Sequence, residues 1–166
     1  MKKRLSLSLT LILALTFSAA SPSFAVVGLP NYSKTPGAVD PTVKQSNIAS
    51  TICVVGYTKT VRPPTSYTNS LKYSQLHSGY AVNGDMNMRD YEEDHLIPLA
   101  VGGHPTDPKN LFPQYYGGAY GARLKDRLEL KMHLLVCAGR ISLATAQAAF
   151  KKDWRIAYRK YVGPLP

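Results

Sequence analysis

The sequence predicts an α+β domain, and three observations carry that prediction. Runs with β-branched or aromatic content, closed off by Gly or Pro, fall at 48–57 and 90–99, and a shorter extended piece falls at 110–114. From Ala122 to Cys137 the apolar residues recur at helical spacing. The same spacing returns after Ser142, which is placed to cap a second helix.

Taken in order, the chain of 166 residues opens with Lys2, Lys3 and Arg4, then a short apolar run from Leu5 to Thr16, then Ser23-Phe24-Ala25. This is the layout of a secretory signal peptide cleaved near Ala25. Pro22 interrupts the run before it is long enough to anchor the chain in a membrane. Residues 1–25 are therefore read as a leader, 26–47 as an extended N-terminal arm and 48–166 as one domain. Ile48, Thr51, Ile52, Val54 and Val55 predict a strand ending near Gly56, and Arg62-Pro63-Pro64-Thr65 predicts an extended turn. Thr68 to Leu76 reads as a short helix with Lys72 and Tyr73, and Ser78 to Arg89 as loop. Asp90 to Leu99 reads as a strand that Pro98 brings to an end. Gly102, Gly103, Pro105 and Pro108 make Ala100 to Lys109 a loop, Asn110 to Gln114 a second extended piece, and Tyr115 to Gly121 another loop. Leu124, Leu128, Met132, Leu135 and Val136 share one face of the next helix, with Gly139 as its C-terminal cap. Leu143, Ala146, Phe150 and Trp154 line one side of the last helix, which Pro164 ends.

Composition narrows the function classes. The chain carries 20 Lys and Arg against 10 Asp and Glu, a formal charge of +10 that falls to +7 with the three cations of the leader. A basic exported protein favours polyanions. Its only cysteines, Cys53 and Cys137, predict a disulfide in an oxidising compartment. Without a Cys-x-x-Cys pair they do not suggest a zinc site.

Against that basic background, Asp90, Glu92, Glu93 and Asp94 put four acids into five positions. Clustered carboxylates repel one another and repel phosphate, so Lys and Arg side chains or a divalent metal must offset them. His95 follows at once, at a strand end before a Gly-rich loop, and is well placed as a general base. Phosphodiester hydrolysis needs an activated water and a metal that stabilises charge. One imidazole with oxygen ligands meets that minimum and favours Mg2+ or Mn2+ over zinc. Neighbouring strand residues point to opposite faces, so Asp94 and His95 reach one centre only if the strand bends there or if one of them acts through its backbone.

The run Asp94-His95-Leu96-Ile97-Pro98-Leu99, then Gly102-Gly103, then Asn110-Leu111-Phe112-Pro113-Gln114 and a helix, resembles the HNH endonuclease family with its ββα-metal (His-Me finger) core. Thr51-Ile52-Cys53, Val61-Arg62-Pro63-Pro64, Lys125-Asp126 with Glu129, and Val136-Cys137-Ala138-Gly139 extend the resemblance to small secreted bacterial HNH-type proteins. The resemblance implies that His95 activates water, that Asp94 binds the metal, and that Asn110 pins the loop between the two strands. The final His or Asn that usually completes such a metal site is missing at the usual distance. The helix offers Glu129 first, then His133 and Asp126, as metal ligands, and Lys125 either to hold a phosphate or to neutralise the carboxylates.

The reading is thus a secreted, extracellular or periplasmic, metal-dependent nuclease acting on DNA or RNA, with no stable membrane anchor and no evident protein partner. Lys109, Arg123, Arg127 and Lys131 are its candidate nucleic-acid contacts, and Tyr115 is a candidate for base stacking. His77 and His104 read as incidental loop histidines. Because the helix lacks the usual His or Asn, the alternative is a non-catalytic polyanion-binding module with a degenerate site. A cell-wall hydrolase would need more histidine ligands than the sequence offers.

Overall fold

The computed structural model describes residues 27–165, so the leader read over 1–25 lies outside it. In chain order the elements are helix α1 (Tyr57–Val61), helix α2 (Thr65–Gln75), strand β1 (Tyr91–His95), strand β2 (Leu111–Tyr115), helix α3 (Ala122–Cys137) and helix α4 (Leu143–Tyr161). The fold is mixed α+β. β1 and β2 pair antiparallel, with Tyr91 opposite Tyr115 and His95 opposite Leu111.

The helical stripe becomes the main core. Leu128, Met132 and Val136 of α3 pack with Leu143, Ala146, Phe150 and Trp154 of α4, and all seven are buried. Leu124 and Leu135 flank them half-buried. The caps behave as the sequence predicts. The Ser142 side chain accepts a hydrogen bond from Thr145 N. Gly139, just past α3, takes the left-handed conformation (φ +66°) that closes a helix. α4 breaks at Asp153 (φ −168°, ψ 104°), where the Asp153 carboxylate accepts from Arg155 N and caps the helix anew. The arm expected as extended holds turns at 27–28, 32–34 and 41–42, and is tied down where Trp154 Nε1 donates to Gly28 O and Asp40 N to Gly102 O.

The strand expected over 48–57 does not form. That stretch holds a 3-10 turn (Gln45–Ser50), irregular chain and the start of α1 behind Gly56, which sits at φ +85°. Val54 and Val55 are exposed and only Ile52 is buried. β-branched residues favour a strand only where an edge pairs with them, and here Cys53 ties the segment to α3 instead. The second expected strand is real but shorter. β1 stops at His95, and Leu99–Val101 is a 3-10 turn. The expected helix at 68–76 begins three residues earlier, directly after Pro63 and Pro64, which keep Arg62 extended and end α1.

Because the sheet has two strands, α2 supplies partners for exposed strand carbonyls. Lys72 Nζ donates to Tyr91 O (2.8 Å) and Gln75 Nε2 to Leu111 O (2.9 Å). Among the described residues no helix is long and apolar enough to cross a membrane.

The Cys53–Cys137 disulfide closes a sequence separation of 84 residues. In the chain-entropy account a loop of that size is worth about 4–5 kcal/mol. The double variant Cys53→Ser/Cys137→Ser is therefore expected to lose several kcal/mol in urea unfolding. A loss below about 1 kcal/mol would show that the bridge adds little to the folded state.

Candidate functional site

Strand alternation sorts the acid cluster. Glu92 and Asp94 share one face of β1, while Tyr91, Glu93 and His95 share the other. α3 covers the Asp94 face and presents Lys125, whose side chain has no solvent exposure. Its ammonium donates to Asp94 Oδ2 at 2.8 Å, to His95 O at 2.7 Å and to Glu129 Oε1 at 2.6 Å. A lysine has three protons to donate, and all three are placed. Burial alone would lower the Lys125 pKa, but the Asp94 and Glu129 carboxylates raise it above the ordinary lysine value. Lys125 thus neutralises the carboxylates, the second of its two expected roles, and from its sealed position it reaches no substrate phosphate.

His95 ends β1, so its ring is not confined to one face. Nε2 lies 2.9 Å from Pro105 O. A carbonyl only accepts, so Nε2 carries the ring proton and Nδ1 keeps the lone pair. Burial lowers the His95 pKa to about 4, with Lys125 and Arg62 adding to the fall against Asp94 and the Pro105 carbonyl. The ring is neutral at pH 7. Asn110, fully buried, pins the loop that brings Pro105 there. Its Oδ1 accepts from Ile97 N (2.9 Å), and its Nδ2 donates to Ile97 O and His104 O (3.0 Å each). Gly103 fits beneath, because a Cβ there would stand 1.7 Å from Ile97 O.

Asp94, His95, Asp126, Glu129 and His133 line one cavity of about 250 Å³, together with Arg62 and Glu92. His133 Nδ1 donates to Ala100 O (3.0 Å), leaving Nε2 as its free nitrogen. Burial first, and then the Asp94 charge, push Glu92 and Glu129 above the usual carboxylate range. Four carboxylates thus meet two side-chain cations, Lys125 and Arg62, and this oxygen-rich donor set suits a hard divalent ion in kind. Yet Lys125 occupies the gap between Asp94 and Glu129. Among the described residues no three His, Cys, Asp or Glu stand together as a group able to hold a metal ion.

The remaining expected residues lie elsewhere. Lys109, Arg123, Arg127 and Lys131 are exposed. Arg127 and Lys131 line a separate pocket with Leu130, Leu134, Tyr161 and Val162. Tyr115 packs edge-on against Tyr91 at 5.1 Å, so the exposed aromatic ring nearby is that of Tyr116. His77 is held by Tyr73 O, and His104 accepts from the backbone of Asp107. Arg62 was not anticipated as a site residue. Among the described residues it makes no ion pair and no side-chain hydrogen bond, yet it lines the cavity. Its sequence signals are the rigid Pro63-Pro64 that follows and its place in Val61-Arg62-Pro63-Pro64, one piece of the HNH resemblance.

No protein family, curated protein or solved structure matches this chain.

Glu93 is buried, and neither of its carboxyl oxygens has a hydrogen-bond partner among the described residues. Burial raises its pKa to about 9, against the pull of Lys72. A folded-state value raised above the unfolded one gives stability that is full below about pH 4.5 and drains away as pH rises toward 9. Glu93→Gln is expected to remove that decline, gaining on the order of 3 kcal/mol over the parent between pH 5 and 8 in urea unfolding. Parallel pH profiles for the two proteins would contradict it.

Proposed function

We propose that this chain is a secreted nuclease that hydrolyses phosphodiester bonds of DNA or RNA, with β1, β2 and α3 as an HNH-type ββα core. The observation that carries the reading is a neutral, oriented imidazole on the same cavity as a carboxylate held in place by a buried lysine. The strand–loop–strand–helix order and the Asn110-pinned loop support it.

In this reading His95 Nδ1 takes the proton from the attacking water. Its Nε2–H stays on Pro105 O, which holds the ring plane and fixes the tautomer. Arg62 meets the incoming phosphate with a guanidinium that no carboxylate has claimed. Lys125 keeps Asp94 from turning away and dampens the repulsion between the acid cluster and the substrate. The proposal includes Mg2+ or Mn2+, held by Asp94 with Glu129, Asp126 or His133 swung in from α3. When bound, such an ion offsets charge on the phosphate and on the departing 3′ oxygen. The surface lysines and arginines add salt-sensitive attraction without reading sequence.

One observation favours a second reading, a non-catalytic binding module. The Lys125 ammonium stands where a metal bridging Asp94 and Glu129 would sit. A manganese-soaked crystal separates the two, since an anomalous peak beside Asp94 favours the enzyme and its absence favours the module.

His95→Ala is expected to lower plasmid nicking more than about 100-fold with the circular dichroism spectrum unchanged. Parent-like cutting removes the base assignment. EDTA is expected to stop cleavage and Mg2+ or Mn2+ to restore it, while full activity in chelator removes the metal. The neutral ring is the working form, and an NMR titration of the His95 ring is expected to give a midpoint near 4. A midpoint near the ordinary histidine value overturns the buried-base account.

A further inference from the structure

We infer that the exposed face between the middle of α3 and the end of α4 docks reversibly on an anionic phospholipid bilayer, its leucines entering the acyl boundary and its cations meeting the headgroup phosphates. The inference goes beyond the nuclease reading and stands without it. The face holds an open cavity of about 270 Å³. Leu130 (62 % exposed), Leu134 (55 %) and Val162 (40 %) line it. Single exposed apolar side chains are ordinary, but a cluster of them at one cavity marks an interaction surface.

Cations frame the same cavity. Arg127 and Lys131, one turn apart on α3, line it, and neither has an ion pair among the described residues. Lys160 joins them at the end of α4, where its Nζ lies 5.0 Å from the centre of the Tyr161 ring, itself a wall of the cavity. Among the described residues no carboxylate lines this space. Basic and apolar side chains side by side on an exposed helical face are the makeup of an interfacial helix. Long cationic stems and a tyrosine ring suit the headgroup depth, with their apolar parts inward and their polar ends in water.

Other occupants fit this face less well. Nucleic acid would meet the cations and leave the leucines in water. A second copy across a twofold axis would set Arg127 and Lys131 against the same cations. For an acidic protein, three apolar side chains fall far short of the roughly 20–30 residues and about 800 Å² a side of a stable interface. A bilayer sets no such threshold, because each inserted side chain and each cation near the surface adds to the binding separately.

The test is co-sedimentation of the exported protein with vesicles of equal parts phosphatidylglycerol and phosphatidylcholine, set against vesicles of phosphatidylcholine alone. Binding to the anionic vesicles is expected to be about tenfold tighter or more, and to weaken as salt rises. Leu134→Ser/Val162→Ser, at two exposed positions outside the His95 cavity, is expected to weaken it about tenfold. Arg127→Gln/Lys131→Gln is expected to weaken it about 30-fold. Equal binding to the two vesicles overturns the docking face, and that comparison needs no variant to fold. Unchanged affinity in Leu134→Ser/Val162→Ser overturns it as well. So does the absence of binding, and a dimer in analytical ultracentrifugation that the same variant dissolves would then assign the face to a second copy.

Discussion

A single buried ammonium ties the sheet to the helix layer. Lys125 enters from α3, and its three protons go to a strand side chain, a strand carbonyl and its own helix neighbour. Removing an ammonium and two carboxylates from water costs several kcal/mol per ion, and such a group persists only where its partners are well aligned. The Phe150 ring, 5.5 Å from Nζ, closes the far side. Three placed protons suit lysine's radial geometry better than arginine's planar fork. The consequences spread from there. Asp94 cannot rotate, the His95 carbonyl is spoken for where β1 ends, and Glu129 is drawn toward the strand.

The rest of the site follows from how the strand terminates. Asn110 takes over both backbone groups of Ile97, and the loop it fixes delivers the Pro105 carbonyl to His95. Adjacent strand residues normally face opposite ways, yet Asp94 and His95 line one cavity because His95 has no further strand to confine it. Burial then does the electrostatic work. It holds His95 neutral and pushes Glu93 upward, so two groups two positions apart are both uncharged at pH 7 for the same reason. In the nuclease reading this gives a base with a free lone pair on one side of the strand end. Two positions earlier it leaves Glu93 as a buried polar group without a partner among the described residues.

Much of the fold was legible because local chemistry decides it. The α3 bounds, the Ser142 cap and the Gly139 turn were all readable from periodicity and end residues. So was the α+β order, because the two short strands flank a Gly- and Pro-rich loop. The segment 48–57 misled because β propensity is a statement about packing surroundings, and here Ile52 packs into the helical core while Val54 and Val55 are exposed with no neighbouring strand to pair them. Lys125 was half legible. Its i, i+4 spacing to Glu129 reads as a surface ladder, but it also stands three, seven and eleven residues before Leu128, Met132 and Val136, on the buried stripe. Arg62 was illegible as a site residue, since only tertiary packing carries the α1–α2 turn to the end of β1.

A double-mutant cycle on Asp94→Asn and Lys125→Met, read by urea unfolding at pH 7, tests the central claim most directly. The account predicts that each single variant loses several kcal/mol and that the double loses much less than their sum, a coupling above about 2 kcal/mol. Additive losses would mean that the buried ammonium and the strand carboxylate do not hold each other, and the site built on that pair would fall with it.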